Sequence, residues 1–151
     1  MITKNSDEYE KMIASIAILV HEKFRELYLE KNNGTRIKIT KDKEWIKKYD
    51  TNQADLAKLD YLDLPEDWKK SRWLGSKVAL DALLGAVKAG KPLDEKFIER
   101  AASIVHEEWL NRNRDIAEDQ HKHPYGQLSE DVKEKDRIFV RAAIEIYLKK
   151  S

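Results

Sequence analysis

One pattern of residues occurs twice in this chain, and a duplicated supersecondary unit normally buries its apolar face against its twin. Residues 14–24 read ASIAILVHEKF and residues 99–109 read ERAASIVHEEW, so Val-His-Glu recurs with an aromatic two positions past the Glu. Further on, 60–73 (DYLDLPEDWKKSRW) lies over 124–137 (PYGQLSEDVKEKDR), which sets Tyr61 against Tyr125 and Leu64 against Leu128. His21 and His106 are 85 residues apart but Tyr61 and Tyr125 only 64, so the first copy carries 21 extra residues, between Asn32 and Asp60. The expectation is one domain over 1–151. Its first repeat covers about 7–90 with an insertion at 32–60, its second about 93–150, and a cleft lies between them.

A chain of 151 residues is long enough for one domain with a substantial core. Charge argues against a general nucleic-acid binder: 29 basic residues stand against 28 acidic ones, where such a protein gathers an excess of positive charge on one face. Without cysteine there is no disulfide framework, zinc ribbon or thiol nucleophile. The polar, acidic start MITKNSDEYEKM does not resemble a secretory signal, and the longest apolar run, Ile16 to Val20, is far short of the roughly 20 residues of a membrane span. The chain therefore reads as soluble and cytoplasmic, with neither nucleic acid nor membrane as partner.

Hydrophobic periodicity predicts a mainly α fold with minor β. Met12, Ile13, Ile16, Leu19, Val20, Phe24 and Leu27 form a stripe on a helix from about Asp7 to Lys31, with Ser6 as N-cap and Asn32-Asn33-Gly34 as its end. The alternation TRIKIT at 35–40 predicts a short strand or hairpin arm, and Trp45, Ile46 and Tyr49 a short helix before a turn at 50–52. Pro65 suits the first position of a helix reaching about Lys88, expected to be the most buried element, with Gly75 and Gly85 permitting close approach of a neighbour. Asp94-Glu95 opens the next helix, with the stripe Phe97, Ile98, Ala101, Ile104, Val105 and Trp109. Residues 111–126 read as a polar loop, and Ser129 caps a last helix from Glu130 to Lys149.

Several side chains could carry chemistry. His21 and His106 hold equivalent positions, and a neutral imidazole donates from one nitrogen and accepts at the other. Each could fix its own repeat's loop or read a ligand's polar edge, and the repetition favours the structural role. Trp109, Tyr125, Tyr61, Trp68 and Trp73 lie in or beside the repeated motif and could stack on a planar ligand, which contributes roughly 1–3 kcal/mol per base. Stripe tryptophans more often pack in the core, and Tyr125, on a loop, is the better functional candidate. Arg72, Arg112, Arg114, Arg137 and Arg141 could offer the guanidinium fork that suits phosphate. The cluster DQHKH at 119–123 fits no strong zinc signature, and neither paired acidic motifs for magnesium nor a Gly-rich phosphate loop is present. No metal or cofactor is expected. The insertion, with its strand and Trp45, reads either as a lid or specificity element or as packing.

The second copy resembles the RyR domain, the repeat named after ryanodine receptors and found also as a small module in bacteria and phages. The resemblance rests on His106, Glu107 and Trp109, on His123-Pro124-Tyr125, on Leu128, Ser129 and Glu130, and on Lys135-Asp136-Arg137; it covers about 97–147. The first copy is similar through Val20-His21-Glu22, Phe24, Tyr61, Leu64, Pro65 and Glu66, with Arg72 and Trp73 in place of Asp136 and Arg137. This resemblance implies a compact, helix-rich tandem pair with short strands and no established catalysis. Bacterial members look like recognition modules, with nucleotide-like molecules the leading suggestion. The expected function is non-catalytic binding of a small, nucleotide-derived molecule by Tyr125, Trp109, His106, Arg137, Tyr61, Trp73 and His21. The alternatives are a module that binds a protein partner, or an enzyme on nucleotides or ADP-ribose-like compounds with His106 or Glu107 as acid or base.

Overall fold

In the computed structural model, which describes residues 2–150, four long helices enclose the core: α1 (Asp7–Lys31), α3 (Glu66–Lys88), α4 (Glu95–Asn113) and α5 (Glu130–Lys149). Helix α2 (Lys43–Tyr49) lies in the insertion between strands β1 (Ile37–Ile39) and β2 (Gln53–Asp55). The fold is mainly α with minor β. Helices α3 and α5 each pack on the other three long helices, with α1 and α4 flanking them.

Side chains start these helices where local chemistry provides a cap. Ser6 accepts from the Tyr9 N–H, Asp94 from Phe97 and Ser129 from Val132, each satisfying an orphan donor of the first turn. The first helix ends at Asn32, followed by Asn33 and Gly34 at φ 55° and 74°. The core runs through the stripes of all four helices, with Ile13, Ile16, Val20, Leu80, Leu83, Ala101, Val105 and Val140 essentially sealed from solvent.

Three details depart from the sequence reading. Pro65 is the N-cap of α3 rather than its first residue, and it has no side chain to cap with. The insertion supplies what is missing: Asp42 Oδ2 accepts from the Glu66 N–H at 2.9 Å, while Asp67 returns the contact by accepting from the Thr40 hydroxyl (2.6 Å) and the Lys41 N–H (2.9 Å). Helix α3 shares the centre with α5, and α1 carries the longer series of buried side chains. Finally, only one of the two glycines of α3 lies against a neighbour. A Cβ on Gly75 would run into the Phe139 ring of α5, whereas Gly85 faces open space.

The strand of the insertion is real and has a partner the sequence did not show. β1 pairs antiparallel with β2 in the register Ile37 to Asp55, Lys38 to Ala54 and Ile39 to Gln53. QAD has little β propensity. It is held instead by the ladder, extended by Leu56 N–H to Arg36 O and Thr40 N–H to Asn52 O, and by Ala54, buried between exposed and half-buried neighbours. Trp68 of α3 donates its indole N–H to Ile39 O at 3.1 Å. The hairpin is thereby fastened to the body, and this fixes where Arg36 and Lys38 stand.

Candidate functional site

Both repeated histidines are buried, and both make the same bond. His21 Nε2 is 2.7 Å from Leu59 O and His106 Nε2 is 2.8 Å from His123 O. Each carbonyl lies two residues before the repeated tyrosine, Tyr61 or Tyr125, which opens a short 3-10 turn closed by Leu64 or Leu128. A carbonyl only accepts, so Nε2 carries the proton in both rings. What differs is the partner of Nδ1.

In the first repeat that partner is Arg72, whose Nε donates to His21 Nδ1 at 3.5 Å. With Nδ1 accepting, His21 is neutral; burial first and the Arg72 charge second push its pKa down to about 4. Arg72 is itself buried, with its guanidinium 4.3 Å from the Phe24 ring centre and one nitrogen donating to the Tyr28 hydroxyl at 3.0 Å. Among the described residues no carboxylate pairs with it.

In the second repeat the equivalent position is Asp136, whose carboxylate lies 3.4 Å from His106 Nδ1. Since Nε2 already holds its proton, a second one must sit between Nδ1 and the carboxylate for this contact to be favourable. The bond to Asp136 raises the pKa of His106, and burial raises that of Asp136. Both directions say that the pair takes up a proton more readily than its parts.

Arg72 and the His106–Asp136 pair open onto a cavity of about 270 Å³ bounded by both repeats. Its apolar walls are Phe24, Tyr28, Leu56, Trp68, Trp109, Val132 and Phe139. Lys38 enters from β1 and Arg36 from the residue before it, Lys135 from α5, and Ile116, Ala117, Glu118 and His121 from the segment after α4. The Trp109 ring lies between His106 (centroids 6.4 Å apart, nearly parallel) and His121 (5.7 Å, edge-on). Lys38 Nζ meets Glu118 Oε1 at 3.8 Å, joining the insertion to that segment across the rim. Burial and the neighbouring Arg36 hold Lys38 below the usual lysine range; burial, then Arg36 and Lys38, do the same to Lys135. Burial and Lys135 depress His121 as well.

Of the residues put forward from sequence, His106, Trp109, Trp68, Arg72 and His121 line this cavity. His21 stands behind it, reaching it through Arg72. Tyr125 and Arg137 are engaged elsewhere: Arg137 grips Glu99 through two bonds of 2.8 and 2.9 Å and adds Glu130 at 2.8 Å, while the Tyr125 hydroxyl donates to Glu99 at 3.0 Å. Desolvation and the Glu99 bond push Tyr125 up to about 12. This triad locks the turn before α5 onto α4, and it leaves Arg137 no free fork. Tyr61 and Trp73 line a separate groove with Glu66, Asp67, Lys69 and Lys70. Among the described residues no three His, Asp or Glu side chains gather as a metal site needs.

Sequence reasoning missed Arg36, Lys38, Lys135 and residues 116–118 as parts of the site, and it weighed His121 only as a metal ligand. Lysines in a charge-rich chain carry no local mark, and only Arg72 among the five arginine candidates has its head in the cavity. A signal was nevertheless available, since the repeat alignment sets a buried cation in one copy against a carboxylate in the other. Comparison of the chain with family models, with curated proteins and with solved structures found no match.

Proposed function

We propose that this chain is a non-catalytic binding module of the RyR-repeat type that holds one small, planar, nucleotide-derived molecule in the cavity between its repeats. The observation that carries the reading is the cavity itself: aromatic and aliphatic walls from both repeats, with a few polar groups converging on it. That is the usual make-up of a small-molecule site. Its volume of about 270 Å³ falls just below the roughly 300–1,000 Å³ typical of such sites, which suits a molecule no larger than a mononucleotide. Trp109 and Trp68 offer ring faces, and the histidine–aspartate pair offers a polar edge.

Catalysis draws no support from His106. Its Nε2 is committed to a backbone carbonyl and its Nδ1 to Asp136, so neither nitrogen is free to move a substrate proton. Protein binding, the second reading, is favoured by one feature: Ile37 and Ile39 of the hairpin are 53% and 64% exposed, an unusual outlay of β-branched surface on a short strand.

The test is a thermal-shift screen against nucleobases, nucleosides and nucleotides. A ligand that binds only the folded chain raises stability with concentration, by about 2.7 kcal/mol at one hundred times its Kd. The expected outcome is a dose-dependent rise with one class, abolished in Trp109→Ala. A flat response to the whole panel would shift the reading to the interaction module.

A further inference from the structure

The charge arrangement inside the cavity says more than its shape. Four cations line it, Arg36, Lys38, Arg72 and Lys135, against two carboxylates. Asp136 is taken by His106, and Glu118 pairs with Lys38 among these cations while also accepting from Gln120 and lying 4.0 Å from His121 Nδ1. Arg36, Arg72 and Lys135 therefore have no carboxylate partner among the described residues; Arg36 lies 5.8 Å above the Tyr28 ring and Arg72 is 6% exposed. They come from the residue before β1, from α3 and from α5, so no single element's sequence accounts for their meeting.

Buried charges are as a rule paired, because an unpaired one carries a desolvation cost of several kcal/mol. A guanidinium more than nine-tenths buried, with only a hydroxyl and a neutral imidazole to donate to, is a group whose counter-charge comes from outside the chain. The repeat makes this specific: at the equivalent position the second copy holds an acid, so a scaffold that accommodates a carboxylate there carries a cation in the first copy. Resting on the reading above that the cavity holds a small molecule, we propose that this molecule bears a phosphoryl group, and that Arg72, Arg36 and Lys135 hold that group.

Charge magnitude selects phosphoryl over carboxylate. A phosphomonoester carries about −1.5 to −2 at neutral pH and three strong acceptor oxygens, against one negative charge on a carboxylate. Three cations from three directions match the former, with the guanidinium forks setting geometry and the ammonium adding a point charge. The lowered pKa of Lys135 fits the same picture: burial lowers it first, and the neighbouring cations Arg36 and Lys38 lower it further.

The experiment is calorimetric titration of the whole chain with ribonucleoside 5′-monophosphates, the matching nucleosides, ribose 5-phosphate and inorganic phosphate, at two salt concentrations. The expected result is a monophosphate bound at least tenfold more tightly than its nucleoside. Lys135→Gln and Arg36→Gln should each remove about tenfold of that advantage while leaving the nucleoside affinity in place, and added salt should weaken the monophosphate selectively. Arg72→Lys should also weaken it. Should Arg72→Lys not fold, the two half-exposed positions decide the matter alone. Binding of ribose 5-phosphate or inorganic phosphate, lost in the same variants, supports the phosphoryl site and identifies a sugar phosphate or a free anion as its source. A nucleoside that binds as tightly as its monophosphate overturns the phosphoryl site and leaves the small-molecule reading standing. No binding by any probe overturns both.

Discussion

The two repeats use one histidine in the same backbone role and surround it with opposite charge. In the first, His21 accepts from Arg72 and stays neutral; in the second, His106 shares a proton with Asp136. The structural half of the motif, a ring N–H capping the carbonyl two residues ahead of a tyrosine, is kept in both. The other ring nitrogen faces the cavity wall, and there the copies diverge. A second divergence lies behind it. Glu99 and Arg137 form a two-bond ion pair in the second repeat, while the equivalent positions of the first hold Ala14 and Trp73, which cannot. The shared motif gives both copies the same frame, and the difference at the Nδ1 partner makes the cleft electrically unsymmetrical.

The comparison can be broken most forcefully at the histidines. His21→Leu removes the donor to Leu59 O and the acceptor of a buried guanidinium together, and a loss of about 3–5 kcal/mol in urea unfolding is expected. His106→Leu should cost less, about 1–3 kcal/mol, because Asp136 can respond by binding a proton where Arg72 cannot shed one. Equal losses would mean that the Nδ1 partners do not matter.

Acid titration separates the repeats next. The folded value of His21 lies near 4 against an ordinary 6.5, so the unfolded chain binds the proton first, and stability falls as pH drops from about 6.5 to about 4. The full effect is about 3 kcal/mol. His106 is raised and acts in the opposite sense, its contribution being complete at low pH and lost as pH rises through its folded value. Stability measured against pH should therefore fall less steeply between about 6.5 and 4 in His21→Gln than in the parent, whereas His106→Gln should flatten the loss of stability that the parent shows as pH rises above about 6.5.

Smaller effects sharpen the second divergence. Arg137→Lys gives up the paired bonds to Glu99 and should cost about 1 kcal/mol, read from the urea midpoint. Arg141→Lys is the control on the exposed face, where the ion pair with Glu134 should contribute a few tenths of a kcal/mol. The glycines of α3 give the smallest change with an informative sign. Gly85→Ala should stabilise by about 0.5–1 kcal/mol through helix propensity, while Gly75→Ala should destabilise by forcing Phe139 to move.

The long helices were legible in the residues because their signals are local. Ser6, Asp94 and Ser129 cap within three residues of themselves, and the apolar stripes have the period of the helix. Strand β2 was not legible, because QAD is held by pairing with β1 and not by its own propensity. The site divides the same way. His106 and Trp109 were named because they sit inside a repeated motif. Arg36, Lys38 and Lys135 are ordinary cations until the fold brings the hairpin and α5 to one cavity, and Arg137, in the same KDR motif as Lys135, turns away to Glu99.

The sequence by itself determined the helix boundaries, the core stripes, the duplication and the place of the insertion, all of which follow from chemistry between near neighbours or from periodicity. Tertiary structure alone decided that the insertion caps α3, that Arg72 and Asp136 are the partners of the two Nδ1 atoms, and which cations face inward without a carboxylate partner. Those properties depend on distances between residues far apart in the chain, and the strength of a charge depends on its burial, which no stretch of sequence carries.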